Sequence, residues 1–353
     1  MKKLNKALKL AKFIADKGSD IEIFGMFGPG NLGDEAMLVA AFENLPRGRV
    51  IPWPSYAIGR ALDRFIELRR RPHLLVGGGT LIHGGNTGWL DYVEMRSMQG
   101  VQVSFFGTGI SFTPEEMSSR TEPYRRWCSI LNQSTNVHLR GPKSVAIARE
   151  MGSEADVFGD FAFMLYDSKI PITDHSKREN SIGLNFGYCL ADQNDFENKS
   201  VELVKNLSGI AKLVFYTVVD TDQPVTQRII ERSGLRNSQY TVENHFYDPH
   251  AFMASARLHK GFIGLKLHAA GLAMVAGVPT VMIAYKDKSF DFMAPIKANY
   301  LGLVTLPINA NQLSRKIDDL LTSPQKYVVS DAIAELTVHQ RNLLREIYRQ
   351  ESN

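Results

Sequence analysis

The chain has 353 residues, 44% of them apolar and 22% charged, with a formal net charge of +4. That length exceeds one small core and points to two domains. The small charge leaves no nucleic-acid footprint, and no stretch reaches the roughly 18 apolar residues needed to span a bilayer.

Leu4, Leu8, Leu10 and Ile14, set among lysines, predict an amphipathic helix. No apolar run of signal-peptide length follows the basic Met1–Asn5, so a cytoplasmic chain is expected. Loose attraction to an acidic membrane surface, at the inner face, is compatible with the charge.

Ile21–Gly25 reads as a first strand, followed by a glycine-rich turn and a helix from about Asp34 to Asn44. Gly28, Gly30 and Gly33 have Gly-x-Gly-x-x-Gly spacing, but Pro29 and Asp34 disfavour a dinucleotide pyrophosphate. Asn31-Leu32-Gly33-Asp34 reads instead as a turn shaping the floor of a cleft. Asp34 is either the helix N-cap or a polar group presented to an acceptor hydroxyl.

His73–Val76 is a second strand, running into Gly77-Gly78-Gly79-Thr80, where glycines let the backbone turn and approach a ligand closely. His83 follows, then a loop carrying Trp89, which either stacks on a sugar face or packs into the core. Val101–Phe106, Val137–Arg140 and Ala155–Phe158 are further strands. Arg140 ends its strand with a guanidinium fork suited to phosphate or carboxylate. The two cysteines, Cys128 and Cys189, are too few and too far apart for a disulfide framework or a zinc site, and read as small buried groups.

Tyr166–Asn180 is polar and proline-containing, and reads as a linker, set at 169–180. The pattern then restarts with strands at Ser181–Phe186, Ala211–Val219, Gly261–Gly264 and Thr280–Ala284. Lys266 and His268 fall between a strand and a small-residue helix, Ala269–Ala276, closed by Gly277. Free N–H groups and the helix dipole favour an anion there. The alternative is a closely packed helix with Lys266 solvated and His268 as a cap. Tyr285-Lys286 ends the next strand, and Ser330–Gln350 reads as a closing helix.

Strands alternating with helices predict an α/β chain of two doubly wound Rossmann-like domains facing a cleft. The expected organisation is an N-terminal domain at 1–168, the linker, a C-terminal domain at 181–329, and the closing helix at 330–353. No His, Asp or Glu cluster has ligand spacing, so no metal is expected; no cofactor is expected either.

Taken together, these motifs resemble the polysaccharide pyruvyl transferase family. The matching stretches are Gly30–Glu35, Gly77–Leu81, Leu139-Arg140 with Ser144, Phe158–Phe163, Lys266–Pro279 and Tyr285-Lys286, in the family's order. The resemblance implies a fold like that of two-domain GT-B glycosyltransferases. It also implies transfer of the enolpyruvyl unit of phosphoenolpyruvate onto two sugar hydroxyls, giving a cyclic ketal and free phosphate. The first domain would take the acceptor, whether free, lipid-linked or polymeric, and the second the donor. The family's anion-binding arginine carries over to Arg140, its Arg-x-His pair to Lys266 and His268, and its later lysine to Lys286.

On this reading Arg140, Lys266 and Lys286 meet the donor's two anionic groups. His268 is the general acid, since an imidazole can be charged near neutral pH. Asp34 is a candidate base, and Asn31, Gly78, Gly79, Thr80, His83 and Trp89 line the substrates. Two departures matter. Lys266 lacks the bidentate fork of the usual arginine, and Gly141 stands where an acidic residue commonly supports the arginine. The rivals are a nucleotide-sugar glycosyltransferase and a non-catalytic sugar- or anion-binding relative. Leu272 stands where such glycosyltransferases often carry a ribose-binding glutamate, which counts against a nucleotide donor.

Overall fold

A computed structural model of the chain describes residues 21–45, 50–52, 72–85, 87–189, 192–284, 287–304 and 310–349. The helix expected at Leu4–Ile14 and the cation Lys286 lie outside the described residues. These divide into two compact units: residues 21–29, 37–164 and 339–349 form the first, and 30–36 and 165–338 the second. The segment 30–36 therefore groups with the second unit, and the end of the closing helix with the first.

The first unit follows β1 (Ile21–Phe24), α1 (Leu32–Asn44), β2 (Val50–Pro52), β3 (His73–Gly77), β4 (Ile82–His83), α2 (Thr87–Met98), β5 (Gln102–Phe106) and β6 (Ile110–Ser111). After these come α3 (Pro114–Ser118), α4 (Glu122–Gln133), β7 (Asn136–Leu139), α5 (Pro142–Glu150) and β8 (Asp156–Val157). Its main sheet is parallel, in the order β2-β1-β3-β5-β7-β8, and β4 pairs with β6. The central strands are apolar on both faces, as a doubly covered sheet requires, and Leu74, Leu75 and Val76 have no exposed surface. On α4, Tyr124, Trp127, Ile130 and Leu131 recur at helical spacing and pack into the core beside Phe105. One buried charge is compensated: Glu22 on β1 meets Arg96 at 3.1 Å and accepts from the Tyr92 hydroxyl.

The second unit follows β9 (Glu179–Asn185), α6 (Gln193–Ser208), β10 (Lys212–Thr217), α7 (Asp222–Ser233), β11 (Tyr240–Asn244), α8 (Pro249–Ala256) and β12 (His259–Gly264). It continues through α9 (Leu267–Val275), β13 (Thr280–Ala284), α10 (Lys288–Met293), β14 (Gly302–Val304), α11 (Ala310–Thr322) and α12 (Ser330–Arg349). All six strands are parallel, in the order β11-β10-β9-β12-β13-β14. Counted within the unit this is the 3-2-1-4-5-6 order of a Rossmann sheet. Strand order reverses between β9 and β12, and in the first unit between β1 and β3. Ligands of such sheets bind beyond the carboxyl ends of the strands at those reversals.

The two-residue pair β4 and β6 has no counterpart among the sequence expectations, and neither do three strands of the main sheets, β2, β11 and β14. All three lie at sheet edges, where a short strand needs no continuous apolar run. Tyr240–Asn244 illustrates this, since its five residues are all partly or fully exposed. Helix α9 begins at Leu267 rather than Ala269 and is buried over nearly its whole length. Its small residues are needed: a Cβ on Gly271 would lie 2.5 Å from the Phe292 ring. The chain leaves it through Gly277 at φ +73°, a left-handed exit that glycine allows. Cys189 is buried and Cys128 half-buried against the first core, and neither forms a disulfide.

Candidate functional site

The expected site residues fall into two groups, one in each unit. In the second unit, β9 and β12 end side by side at the reversal. The Asn185 carboxamide accepts the Lys266 N–H at 2.9 Å and donates to the Tyr216 carbonyl at 2.9 Å, tying three strand ends together. Lys266 is the N-cap residue of α9 and makes no side-chain cap bond, so its ammonium turns elsewhere. Its Nζ stands 3.4 Å from Asp222 Oδ1, at the start of α7. Asp222 is fully buried, and burial pushes its carboxyl above the usual carboxylate range while the Lys266 charge pulls the other way. His268 lies in the first turn of α9, half-buried, its ring edge-on to Phe292 at 5.8 Å. It is therefore inside the helix, and the cap position belongs to Lys266.

The segment 30–36 joins this group. The Leu32 N–H donates to the Val218 carbonyl at 2.9 Å, and Asn31 bridges to Val219 in the loop after β10. A Cβ on Gly33 would lie 2.0 Å from His268 Nδ1, so only glycine lets the imidazole come this close. One on Gly30, at φ +84°, would lie 2.6 Å from the Tyr247 hydroxyl. Asn31 Oδ1 accepts the Gly33 N–H at 3.1 Å, and its carbonyl accepts the Glu35 N–H at 3.0 Å.

That geometry corrects the expectation for Asp34. The helix starts two residues earlier than expected, Asn31 performs the capping, and Asp34 is a buried member of the first turn beside Glu35. A carboxylate there is favoured by the helix dipole without being the cap.

In the first unit, Gly78 and Gly79 take φ of +83° and +67°, turning the chain sharply after β3 at its own reversal. Arg140, 2% exposed, follows β7 and donates from Nη1 to the Gly79 carbonyl at 3.3 Å and to Thr80 Oγ1 at 3.2 Å. A Cβ on Gly109 would meet Nη2 at 2.3 Å, so the glycine after β5 makes room for the guanidinium. Arg140, Gly79, Thr80 and Gly109 thus form one packed group.

His83 is half-buried; burial pushes its imidazole below the ordinary value, with Glu116 acting against that. Its Nδ1 accepts the Gly85 N–H at 2.9 Å, and its ring meets Trp89 edge-on at 5.4 Å. Trp89 is not carried on a loop. It belongs to α2, whose helical spacing places it against the core.

Asp222, Asn185, Gly187 and Tyr247 were absent from the sequence expectations. The available signal was positional: Asn185 and Asp222 are polar residues next to strand ends, the same signal that marked Lys266. Among the described residues no group of three His, Cys, Asp or Glu side chains could hold a metal ion. No described helix is long and apolar enough to cross a membrane.

The family described as polysaccharide pyruvyl transferase matches residues 31–287. No curated protein matches the sequence. Among solved structures, the fold is similar to Anabaena HepE in complex with UDP and glucose, with a TM-score of 0.60 at 13% identity, over 94% of this chain and 99% of that one. It is also similar to the UDP-GlcNAc 2-epimerase of Neisseria meningitidis bound to UDP-GlcNAc, with a TM-score of 0.57 at 12% identity, over 94% and 99%. The Methanocaldococcus jannaschii UDP-GlcNAc 2-epimerase gives 0.55 at 12% identity, over 93% and 99%. These likenesses show the fold, two Rossmann-like domains of GT-B type.

Proposed function

The chain belongs to the polysaccharide pyruvyl transferase family, and from that premise we propose that it transfers the pyruvyl unit of phosphoenolpyruvate to a sugar as a cyclic ketal. The observation that carries this reading is the grouping of Lys266 and His268 on one turn, at the strand-order reversal and against Gly33. A lysine and an imidazole at a helix N-terminus form a pair suited to an anionic donor that must also be protonated.

In the proposed reaction, Lys266 holds the donor's phosphate or carboxylate, with Lys286 and Arg140 as further cations. His268 gives its proton to the methylene carbon. One sugar hydroxyl attacks the adjacent carbon, inorganic phosphate leaves, and the second hydroxyl takes its place to close the ketal, its proton restoring the one His268 gave up. Asp34 is the proposed acceptor of a hydroxyl proton, and Asn31, Gly78, Gly79, Thr80, His83 and Trp89 are proposed to line the substrates. Arg140 would act with the Gly79–Thr80 turn that it already holds. No cofactor takes part, and the acceptor is a sugar of a polysaccharide or its precursor, free or lipid-linked, handled in the cytoplasm or at the inner membrane face.

A nucleotide-sugar transferase is the second reading, favoured by the UDP and glucose named with the Anabaena structure and the UDP-GlcNAc named with the Neisseria one. Against it, Leu272 is fully buried in α9 and offers no hydrogen-bond acceptor for a ribose. The deciding experiment incubates the protein with phosphoenolpyruvate or with UDP-sugars across a panel of acceptors and measures what is released. Phosphate release with a pyruvyl mass gain on the sugar is expected. Release of UDP in place of phosphate would overturn the reading.

A further inference from the structure

Lys266 is not placed by its own backbone alone. Its ammonium reaches across the end of β9 to Asp222, and Gly187, just beyond that strand, leaves the room for the two to meet. A Cβ on Gly187 would lie 2.1 Å from Asp222 Oδ1 and 2.7 Å from Lys266 Cε. Gly187 is not in a left-handed conformation, so it is the absent side chain that matters here.

Asp222 itself is held on two sides. Its Oδ2 accepts the Val218 N–H at 3.2 Å, and it occupies the first turn of α7, where the helix dipole favours a carboxylate. With 0% of its surface exposed, it cannot meet a substrate without rearrangement. A buried carboxylate with one ammonium beside it is costly to leave alone, so each partner fixes the other. Asp222, Gly187 and Lys266 follow β10, β9 and β12 respectively, strands that are adjacent in the sheet.

We propose that Asp222 is a positioning residue that acts through Lys266, and that Gly187 is the space this pairing requires. Together they hold the ammonium at the strand ends where an anionic donor is read. The consequence for binding rests on the donor reading above; the pairing itself does not.

Two measurements test it. Lys266 is acylated with an amine-selective succinimidyl ester in the full chain and followed by mass spectrometry, in the wild type, Asp222→Asn and Gly187→Ala. Release of the amine should speed labelling of Lys266 about fivefold or more in both variants relative to Lys326 as an internal reference. Gly187→Ala keeps every polar group, so it answers the question even if Asp222→Asn folds poorly. Unchanged Lys266 labelling in the folded variants would overturn the proposal.

Phosphoenolpyruvate binding is then measured by calorimetry for Asp222→Asn, Lys266→Ala and the double variant. Asp222→Asn should weaken binding about tenfold in the wild-type background and not further beside Lys266→Ala. A purely electrostatic effect has the opposite sign, because removing a carboxylate favours an anion. Tighter binding, or an equal loss in both backgrounds, would refute a positioning role. If the wild type fails to bind phosphoenolpyruvate, the donor reading falls, while the labelling experiment still decides the pairing.

Discussion

The backbone at Gly33 lies against the imidazole of His268, so closely that a methyl group there would stand 2.0 Å from Nδ1. The two residues stand 235 positions apart in the chain, and both lie within the stretch matched by one family. Gly33→Ala should therefore turn the His268 ring aside. A displacement of this kind costs about a hundredfold in turnover when the ring is the acid, and because the added carbon would also lie 2.8 Å from His268 Cβ, the overpacking costs about 1–3 kcal/mol of stability. Steady-state kinetics with phosphoenolpyruvate, beside a thermal melt, make the comparison; wild-type turnover in a folded Gly33→Ala protein would separate the turn from the chemistry.

His268→Gln keeps a polar group of similar reach but cannot protonate carbon. The expected result is retained donor affinity with a maximal rate lowered by about 10²–10⁴. If donor affinity falls instead and the maximal rate does not, His268 is a phosphate ligand rather than the acid.

Arg140 offers a separate test in the first unit. Lysine in its place keeps a charge but cannot reproduce the guanidinium geometry toward Gly79 and Thr80. Arg140→Lys should lower stability by about 1.5–3 kcal/mol, the range for hydrogen bonds to charged groups. Urea denaturation at neutral pH measures it, and an unchanged midpoint would show that the turn holds without the fork.

His259 gives the second unit a pH-dependent stability. It is 2% exposed, hydrogen-bonded to Ser181 Oγ at 2.7 Å and to the Tyr216 hydroxyl at 2.6 Å, and burial lowers its pKa to about 4. Glu243 acts against that shift and Arg178 with it. Because the folded value lies below the unfolded 6.5, the unfolded chain takes the proton first as pH falls. Stability is therefore full above pH 6.5 and lost progressively toward pH 4, by up to about 3 kcal/mol. Denaturation of the wild type and His259→Gln at pH 7.5 and pH 5 should show a smaller pH effect in the variant. Equal slopes would assign the acid sensitivity to other groups.

Strand ends were the legible part of this chain. Apolar runs such as Leu74–Val76 and Phe262-Ile263, each followed by glycine, mark both the central strands and the positions where ligands approach. Edge strands such as Tyr240–Asn244 carry no such run and are fixed by pairing with a neighbour that the sequence does not display. The site shows the same division. Lys266 and His268 stand out because they interrupt an apolar junction, whereas Asp222 and Gly187 matter only through contacts between loops that are far apart in the chain. The N-cap alternative for Asp34 fails because capping depends on where the first helical turn closes, and Asn31 closes it.

The most direct measurement is calorimetric titration of the intact protein with phosphoenolpyruvate and, separately, with UDP-GlcNAc. The expected result is saturable binding of phosphoenolpyruvate, weakened tenfold or more by Lys266→Ala as one charge-assisted contact is lost, with no binding of UDP-GlcNAc. Saturable binding of UDP-GlcNAc with none of phosphoenolpyruvate would contradict the account.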